Sequence, residues 1–287
     1  MKQHILILGA NGQLGSDMVR QCLSHNILFT PVTFKEFDAS IDDLATKVLD
    51  CIEPVTHIVN CIATTNVDGC ETHSDLAFNL NAAFSYKLAR LCNDRSITLL
   101  HISTDYVFDG TKTSAYVETD IPHPINIYGL SKYAGDMAIM NYAKRYFIFR
   151  VSSLFGIAGA SGKGGNFITT MQRLGHERDI VSVIANQITC PTATLDVARA
   201  IIHFVVSGIK EYGLYNCVSS NSCSWYDFAH EIFKLSAMDV TKLNKADFDS
   251  YNFVAKRPKF GVLSTVKLNK YYQMPRWQDS LTEYFNQ

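Results

Sequence analysis

Apolar and polar positions alternate along the first half of the chain in two distinct periods. Ile5-Leu6-Ile7-Leu8 is a short unbroken apolar run, the pattern of a strand covered on both faces. Residues 14–23 then space Leu14, Met18 and Cys22 at helical intervals, which predicts a helix with one buried stripe. The same logic predicts strands over 28–34, 57–61, 97–103 and 147–152, and helices over 44–51, 77–91 and 128–143. Strands alternating with helices in this way predict an α/β fold, a doubly wound parallel sheet covered by helices on both faces.

The texture changes after Ser153. Gly156, Gly159, Gly162, Gly164 and Gly165 crowd one segment, too much glycine for a continuing core element, and predict a mobile loop on the substrate side. A strand over 180–184 and a helix over 193–206 are expected to return to the sheet. Ser224 opens a further helix, and a terminal helix starts at Trp277. The expected organisation is therefore a nucleotide-binding domain over 1–151 and 180–212. A smaller, discontinuous C-terminal substrate domain takes 152–179 and 213–287.

At 287 residues and 47% apolar composition, the chain can bury a substantial core. Its formal net charge is −1 and no run of Lys or Arg is dense enough to track a phosphate backbone, which argues against nucleic acid as a partner. The four apolar residues after His4 are too few for a signal-peptide core, and no segment reaches membrane-spanning length, so a cytoplasmic protein with no membrane partner is expected. Eight cysteines carry no C-x-x-C spacing and read as reduced core residues. Nine histidines are scattered singly, so no metal site is expected.

Two clusters carry chemistry. Gly9, Asn11, Gly12, Gln13, Leu14 and Gly15 lie in a G-x-x-G-x-x-G string directly after the first strand and open the first helix. Glycines there permit the tight turn and close backbone approach, and the helix N-terminus presents N–H groups and positive dipole to a pyrophosphate, as in a Rossmann-type site. At the end of the second strand the chain reads Val32-Thr33-Phe34-Lys35-Glu36. Thr33 stands where a carboxylate would select NADH, and Lys35 is placed to meet a 2′-phosphate, which favours NADPH and leaves NADH usable. Asp38 and Ala39 are expected beside the adenine, with Cys61, Ala63 and Thr65 along the cofactor.

The second cluster is Thr104, Tyr128 and Lys132. Thr104 ends a buried apolar run, while Tyr128 and Lys132, four apart, share one face of a helix. A phenol can protonate a carbonyl oxygen as hydride reaches the carbon, a neighbouring ammonium favours phenolate, and a hydroxyl can hold the substrate oxygen.

With these residues in place the chain resembles the dTDP-4-dehydrorhamnose reductase family of extended short-chain dehydrogenases/reductases. The resemblance runs through Gly12-Gln13-Leu14-Gly15, the block from Ser103-Thr104-Asp105-Tyr106 to Gly110, Tyr128-Gly129 with Ser131-Lys132, Asn166-Phe167, Asn186-Gln187-Ile188 and Arg257-Pro258. It implies NAD(P)H-dependent reduction of the C4 ketone of a nucleotide-linked 6-deoxyhexose, for activated L-rhamnose and surface polysaccharide. Tyr128 would then be the proton donor, Lys132 would tune it and hold the nicotinamide ribose, and Thr104 would polarise the carbonyl. Val67, Asp105, Tyr106, Ser153, Asn166, Gln187 and Arg257 would face the nucleotide-diphospho-sugar, Arg257 as a guanidinium fork for phosphate. The resemblance also admits a homodimer. Ser153 stands where the family commonly carries Trp, Thr64 where it carries Tyr, Gly261 where it carries Ser and Asn186 where it carries a carboxylate. Two alternatives follow: a 4-ketoreductase for a different nucleotide sugar, or a non-catalytic regulatory subunit similar to that of methionine adenosyltransferase.

Overall fold

The computed structural model describes residues 3–159 and 165–287. Gly162 and Gly164 of the expected mobile loop lie outside the described residues. Strand β1 (His4–Leu8) is completely covered, as its unbroken apolar run requires, and leads through the glycine turn into α1 (Gln13–Ser24). There follow β2 (Leu28–Val32), the short α2 (Leu44–Lys47), β3 (His57–Asn60), α3 (Val67–Thr72) and α4 (Ser74–Phe78). Then come α5 (Phe84–Asp94), β4 (Thr98–Thr104), α6 (Ile127–Tyr142) and β5 (Tyr146–Val151). With β10 (Gly213–Asn216) these strands form one six-stranded sheet, all parallel, in the order β2-β1-β3-β4-β5-β10. The order reverses between β1 and β3, so a crevice opens at their carboxyl ends, where ligands bind in folds of this kind.

The second half adds β6 (Leu154–Phe155), α7 (Phe167–Glu177), β7 (Val181–Ile184), β8 (Ile188–Thr189), β9 (Thr192–Ala193) and α8 (Thr194–Val206). After β10 come β11 (Cys223–Ser224), α9 (Trp225–Leu235), β12 (Leu243–Ala246) and α10 (Trp277–Phe285). Helices α7, α9 and α10 enclose a separate core around Phe155, Phe228, Phe233 and Trp277. Both α7 and α9 start on capping boxes, Asn166 with Thr169 and Ser224 with Asp227.

Two strands fall elsewhere than the sequence pattern suggests. The strand expected to return to the sheet near residue 180, β7, pairs instead with β12 outside it, because its alternating burial gives it only one apolar face to cover. Conversely Gly213–Asn216 joins the main sheet beside β5, with Leu214, Tyr215 and Asn216 all buried. The helix expected over 77–91 is broken by a π-helical turn at Asn79–Ala83. None of the eight cysteines forms a disulfide, and Cys51 is exposed rather than in the core.

Candidate functional site

Gly9 takes φ +74°, and its N–H and that of Ala10 both donate to the Val32 carbonyl, folding the turn back over the end of β2. A Cβ on Gly15 would lie 2.1 Å from the Gly9 carbonyl oxygen and 2.8 Å from the Ala10 Cα, so only glycine lets α1 begin this close to the turn. Gly12 caps α1 without a side-chain partner, leaving first-turn N–H groups facing the crevice. The backbone of Cys61 passes 3.3 Å from where a Gly9 Cβ would be, which brings the Cys61 to Thr65 segment alongside. This cradle, emptied by glycine and lined by unpaired helix N–H groups, fits a dinucleotide pyrophosphate. Asn11, Lys35 and Thr65 are exposed, Gln13 is half-buried, and Leu14 and Ala39 are buried. Asp38 is turned onto its own loop, accepting from the Ser40 N–H (2.9 Å) and hydroxyl (2.6 Å). Glu36 accepts from both the N–H and hydroxyl of Thr33, putting a carboxylate at the end of β2 beside Lys35.

At the other side of the crevice, β4 ends at Thr104 and α6 begins just before Tyr128. Asn126 caps α6 through the Gly129 N–H (2.7 Å), and Glu71 accepts the Ile127 N–H (2.9 Å). A Cβ on Gly129 would sit 2.1 Å from the Tyr106 carbonyl oxygen, so glycine lets Tyr128 reach the Thr104 segment. The Tyr128 ring packs edge-on to Tyr106 with centroids 5.6 Å apart, and the Thr104 hydroxyl lies near enough to act on the phenol. Burial pushes the Tyr128 phenol above its ordinary value, and Thr104 is the largest influence in the other direction. Tyr106 is likewise pushed up to about 12 by burial.

Lys132 is fully covered, and burial lowers its pKa to about 8 against the opposing pull of Asp136. Its Nζ lies 3.3 Å from His101 Nε2. Asn60 Oδ1 accepts the Ile62 N–H (3.1 Å), so its amide nitrogen is the group that donates to His101 Nδ1 (3.1 Å). Nε2 is therefore the ring nitrogen that faces the Lys132 amine. Burial, then Lys132, holds the His101 pKa well below its ordinary value. Asp136 completes the group, accepting from Ser103 Oγ (2.6 Å) with Arg150 Nε at 3.9 Å. Sequence reading named none of His101, Ser103, Asp136 and Arg150 for a role; a buried lysine needs a counter-charge, and a carboxylate one helical turn on was the available signal. It also missed Asn81 in the π-helical turn. Asn81 bonds both Thr64 N and O and the Ser131 hydroxyl, while its own carbonyl packs against Gly135, tying the loop after β3 to α6.

The remaining candidates divide. Asp105 and Tyr106 lie against Thr104 and Tyr128, whereas Ser153 bonds to Thr189 farther out. Arg257 stands near enough to Tyr106 to lower its pKa, but its Nη2 is paired with Asp68 Oδ2 at 2.7 Å and its guanidinium stacks on Phe253. Val67 is half-buried at the start of α3. Asn166 is spent on capping α7 and on the Gly156 carbonyl (2.9 Å), and Gln187 donates to the Pro258 carbonyl (2.8 Å), so both shape loops. No group of three or more His, Cys, Asp or Glu side chains suited to a metal ion occurs among the described residues, and among them no helix is long and apolar enough to cross a membrane.

Asp105 makes a measurable mark on stability. Burial raises its pKa from 3.8 to about 6, despite hydrogen bonds from Ser152 and Thr104. Between those values the folded protein keeps a proton that the unfolded chain releases, so stability falls as pH rises through the window, by about 3 kcal/mol in all. Asp105→Asn is expected to remove that part of the slope in urea unfolding across the window; an unchanged slope would mean that the carboxyl titrates normally.

A parallel sheet with a glycine cradle at its switch point and a hydroxyl, phenol and amine at the next strand end define an oxidoreductase of the Rossmann type. The family model described as RmlD substrate binding domain matches residues 1–287. A dTDP-4-dehydrorhamnose reductase of Aggregatibacter actinomycetemcomitans is 34% identical, over 96% of each chain. The dTDP-4-keto-6-deoxy-D-glucose reductase of Streptomyces niveus is also 34% identical, over 99% of this chain and 97% of that one. The crystal structure of dTDP-4-dehydrorhamnose reductase from Bacillus anthracis in complex with NADP superposes with a TM-score of 0.91 at 36% identity, covering 100% of this chain and 99% of that one. The chain belongs to the dTDP-4-dehydrorhamnose reductase family.

Proposed function

We propose that this enzyme reduces the C4 ketone of dTDP-4-dehydro-6-deoxy-L-mannose with NADPH, giving dTDP-L-rhamnose for surface polysaccharide. The observation that carries the reading is a buried phenol at the start of α6, packed on Tyr106 beside the Thr104 hydroxyl and kept protonated by its burial, which is the state a proton donor needs. Bound NADPH supplies the hydride. Thr104 orients the substrate oxygen and Tyr128 gives it a proton. Lys132 would hold the nicotinamide ribose with an amine that is charged below about pH 8 and stands among His101, Asp136 and Cys61. The glycine cradle from Gly9 to Gly15 takes the pyrophosphate, with Cys61, Ala63 and Thr65 beside it. Asp38 and Ala39 border the adenine, and Val67, Asp105, Tyr106, Ser153 and Arg257 face the sugar nucleotide. Segments 152–179 and 217–287 supply most of the substrate side. The same reading takes the enzyme to be cytoplasmic, and light scattering tests a homodimer.

The test is NADPH oxidation by purified protein with the ketone generated in situ. Turnover supports the reading, and NADPH binding without turnover on this sugar sinks it. A second substrate, dTDP-4-keto-6-deoxy-D-glucose, belongs in the same assay. Ser153 adopts φ +45° at the sugar side, a left-handed conformation that sets this rim apart, and the Streptomyces niveus relative is named for that sugar.

Cofactor choice gives a further test. Lys35 is exposed beside Glu36, so each side chain can meet the 2′ position of the adenosine ribose. Lys35→Ala is expected to raise the KM for NADPH about tenfold and leave that for NADH within about twofold, since only the 2′-phosphate loses a cation. Equal effects on both cofactors would remove Lys35 from the site.

A further inference from the structure

Asp105 is 4% exposed, and among the described residues no Lys or Arg pairs with it. Its side-chain hydrogen-bond partners are hydroxyls. Thr104 Oγ1 donates to Oδ1 (3.1 Å) and Ser152 Oγ donates to Oδ2 (2.8 Å). Because the Ser152 proton is committed to the carboxylate, its oxygen can only accept from Thr189 Oγ1 at 2.9 Å. The Thr189 proton is then committed in turn, and its oxygen accepts from Ser153 Oγ at 2.5 Å. One carboxylate thus sets the direction of three successive hydroxyls. Ser152 and Thr189 are buried and Ser153, half-buried, is the outer end. The segment after Phe260 closes the other side: a Cβ on Gly261 would lie 2.7 Å from Asp105 Oδ2. At the inner end, Thr104 accepts the Tyr106 N–H (3.2 Å), and the Tyr106 ring packs on Tyr128, whose phenol Thr104 influences.

We propose that Ser153, Thr189 and Ser152 form a hydroxyl relay that brings solvent protons through Asp105 and Thr104 to Tyr128, restoring the phenol after each reduction. The inference rests on the reductase reading. When the substrate oxygen takes its proton, the Tyr128 O–H bond breaks and a phenolate remains. With Asp105 protonated on Oδ1, Thr104 turns its proton to the phenolate and takes the one from Oδ1. Oδ2 takes the proton of Ser152, Ser152 that of Thr189, Thr189 that of Ser153, and Ser153 one from water or buffer acid. One solvent proton is consumed and no electrons move along the chain. A half-turn about Cβ–Cγ resets the carboxyl. The ionisable groups facing Asp105 are the phenols of Tyr106 and Tyr128 and the thiol of Cys190, each held protonated by burial, so the carboxyl is the group in this pocket that titrates near neutrality.

Thr189→Val removes the central hydroxyl and keeps the side-chain shape, and Thr189→Ser restores it. The direct readout uses cofactor-free protein. The infrared carbonyl band of protonated Asp105, identified by its loss in Asp105→Asn, shifts as deuterium replaces the proton after mixing with heavy water. Exchange is expected to slow at least about tenfold in Thr189→Val and to recover in Thr189→Ser. In turnover, Thr189→Val should keep the rate of the first NADPH oxidation while steady-state kcat falls about fivefold or more. Ser152→Ala, with folding checked by thermal melting, should reproduce both effects. Unchanged carboxyl exchange in both variants overturns the relay. A wild type that fails to turn over overturns the reductase reading, which the exchange measurement does not depend on.

Discussion

Tyr128→Phe is expected to lower kcat by about 10³- to 10⁴-fold, the upper range for loss of a positioned acid, while the dissociation constant for NADPH stays within about twofold. The substitution is clean because it deletes only the hydroxyl. The ring keeps its edge-on packing against Tyr106, and Thr104 keeps a partner in Asp105, so no buried donor is stranded. Binding should survive because the cradle that would hold the pyrophosphate, from Gly9 to Gly15, is built from backbone at a different strand end. Stopped-flow NADPH oxidation and fluorescence titration of NADPH measure the two quantities. A variant that keeps a tenth of its activity would show that solvent can deliver the proton, and the phenol would lose its assignment.

The features that were legible in the sequence are those fixed by local sterics or by unbroken periodicity. Gly9 and Gly15 could be read because no other residue tolerates that turn and that approach, and β1 because four apolar residues in a row leave no exposed face. Tyr128 and Lys132 were legible as one helix face. What Lys132 touches was not. The expected picture set its ammonium against the Tyr128 phenol, whereas the structure turns the amine toward His101, Asp136 and Cys61 and leaves Thr104 as the main influence lowering the phenol. That arrangement depends on β3, β4 and β5 lying side by side, a long-range pairing with no local signature. For the same reason β7 was expected in the main sheet and β10 was not read as a strand at all: a four-residue strand does not encode its partner. Asn166 illustrates a third limit: its type suits a substrate contact, but the α7 cap and the Gly156 carbonyl take up its amide.

Asp136→Asn should destabilise the fold by about 3–5 kcal/mol, the cost of removing one partner from a buried ionic group. That is a large part of the roughly 5–15 kcal/mol that holds a typical domain together. Asp136 and Lys132 are fully covered and Arg150 is 2% exposed, so the two basic groups would lose their common counter-charge where water cannot replace it. Arg150 cannot respond by releasing its proton and would keep its stacking on Phe108 and the weaker influences of Glu118 and Tyr133. Lys132 can respond. Asp136 is the largest influence holding its pKa up against burial, so in the variant that value falls below about 8 and the amine loses its charge at a lower pH. The alkaline limb of the kcat profile should therefore move to lower pH together with the loss of stability, and urea unfolding and pH-dependent kinetics measure the two separately. Burial also pushes the Asp136 carboxyl upward, which makes the opposite outcome informative. Unchanged stability and an unmoved limb would mean that the native carboxyl is already protonated, with Lys132 neutral beside it, and the charge on Lys132 would then drop out of the catalytic argument.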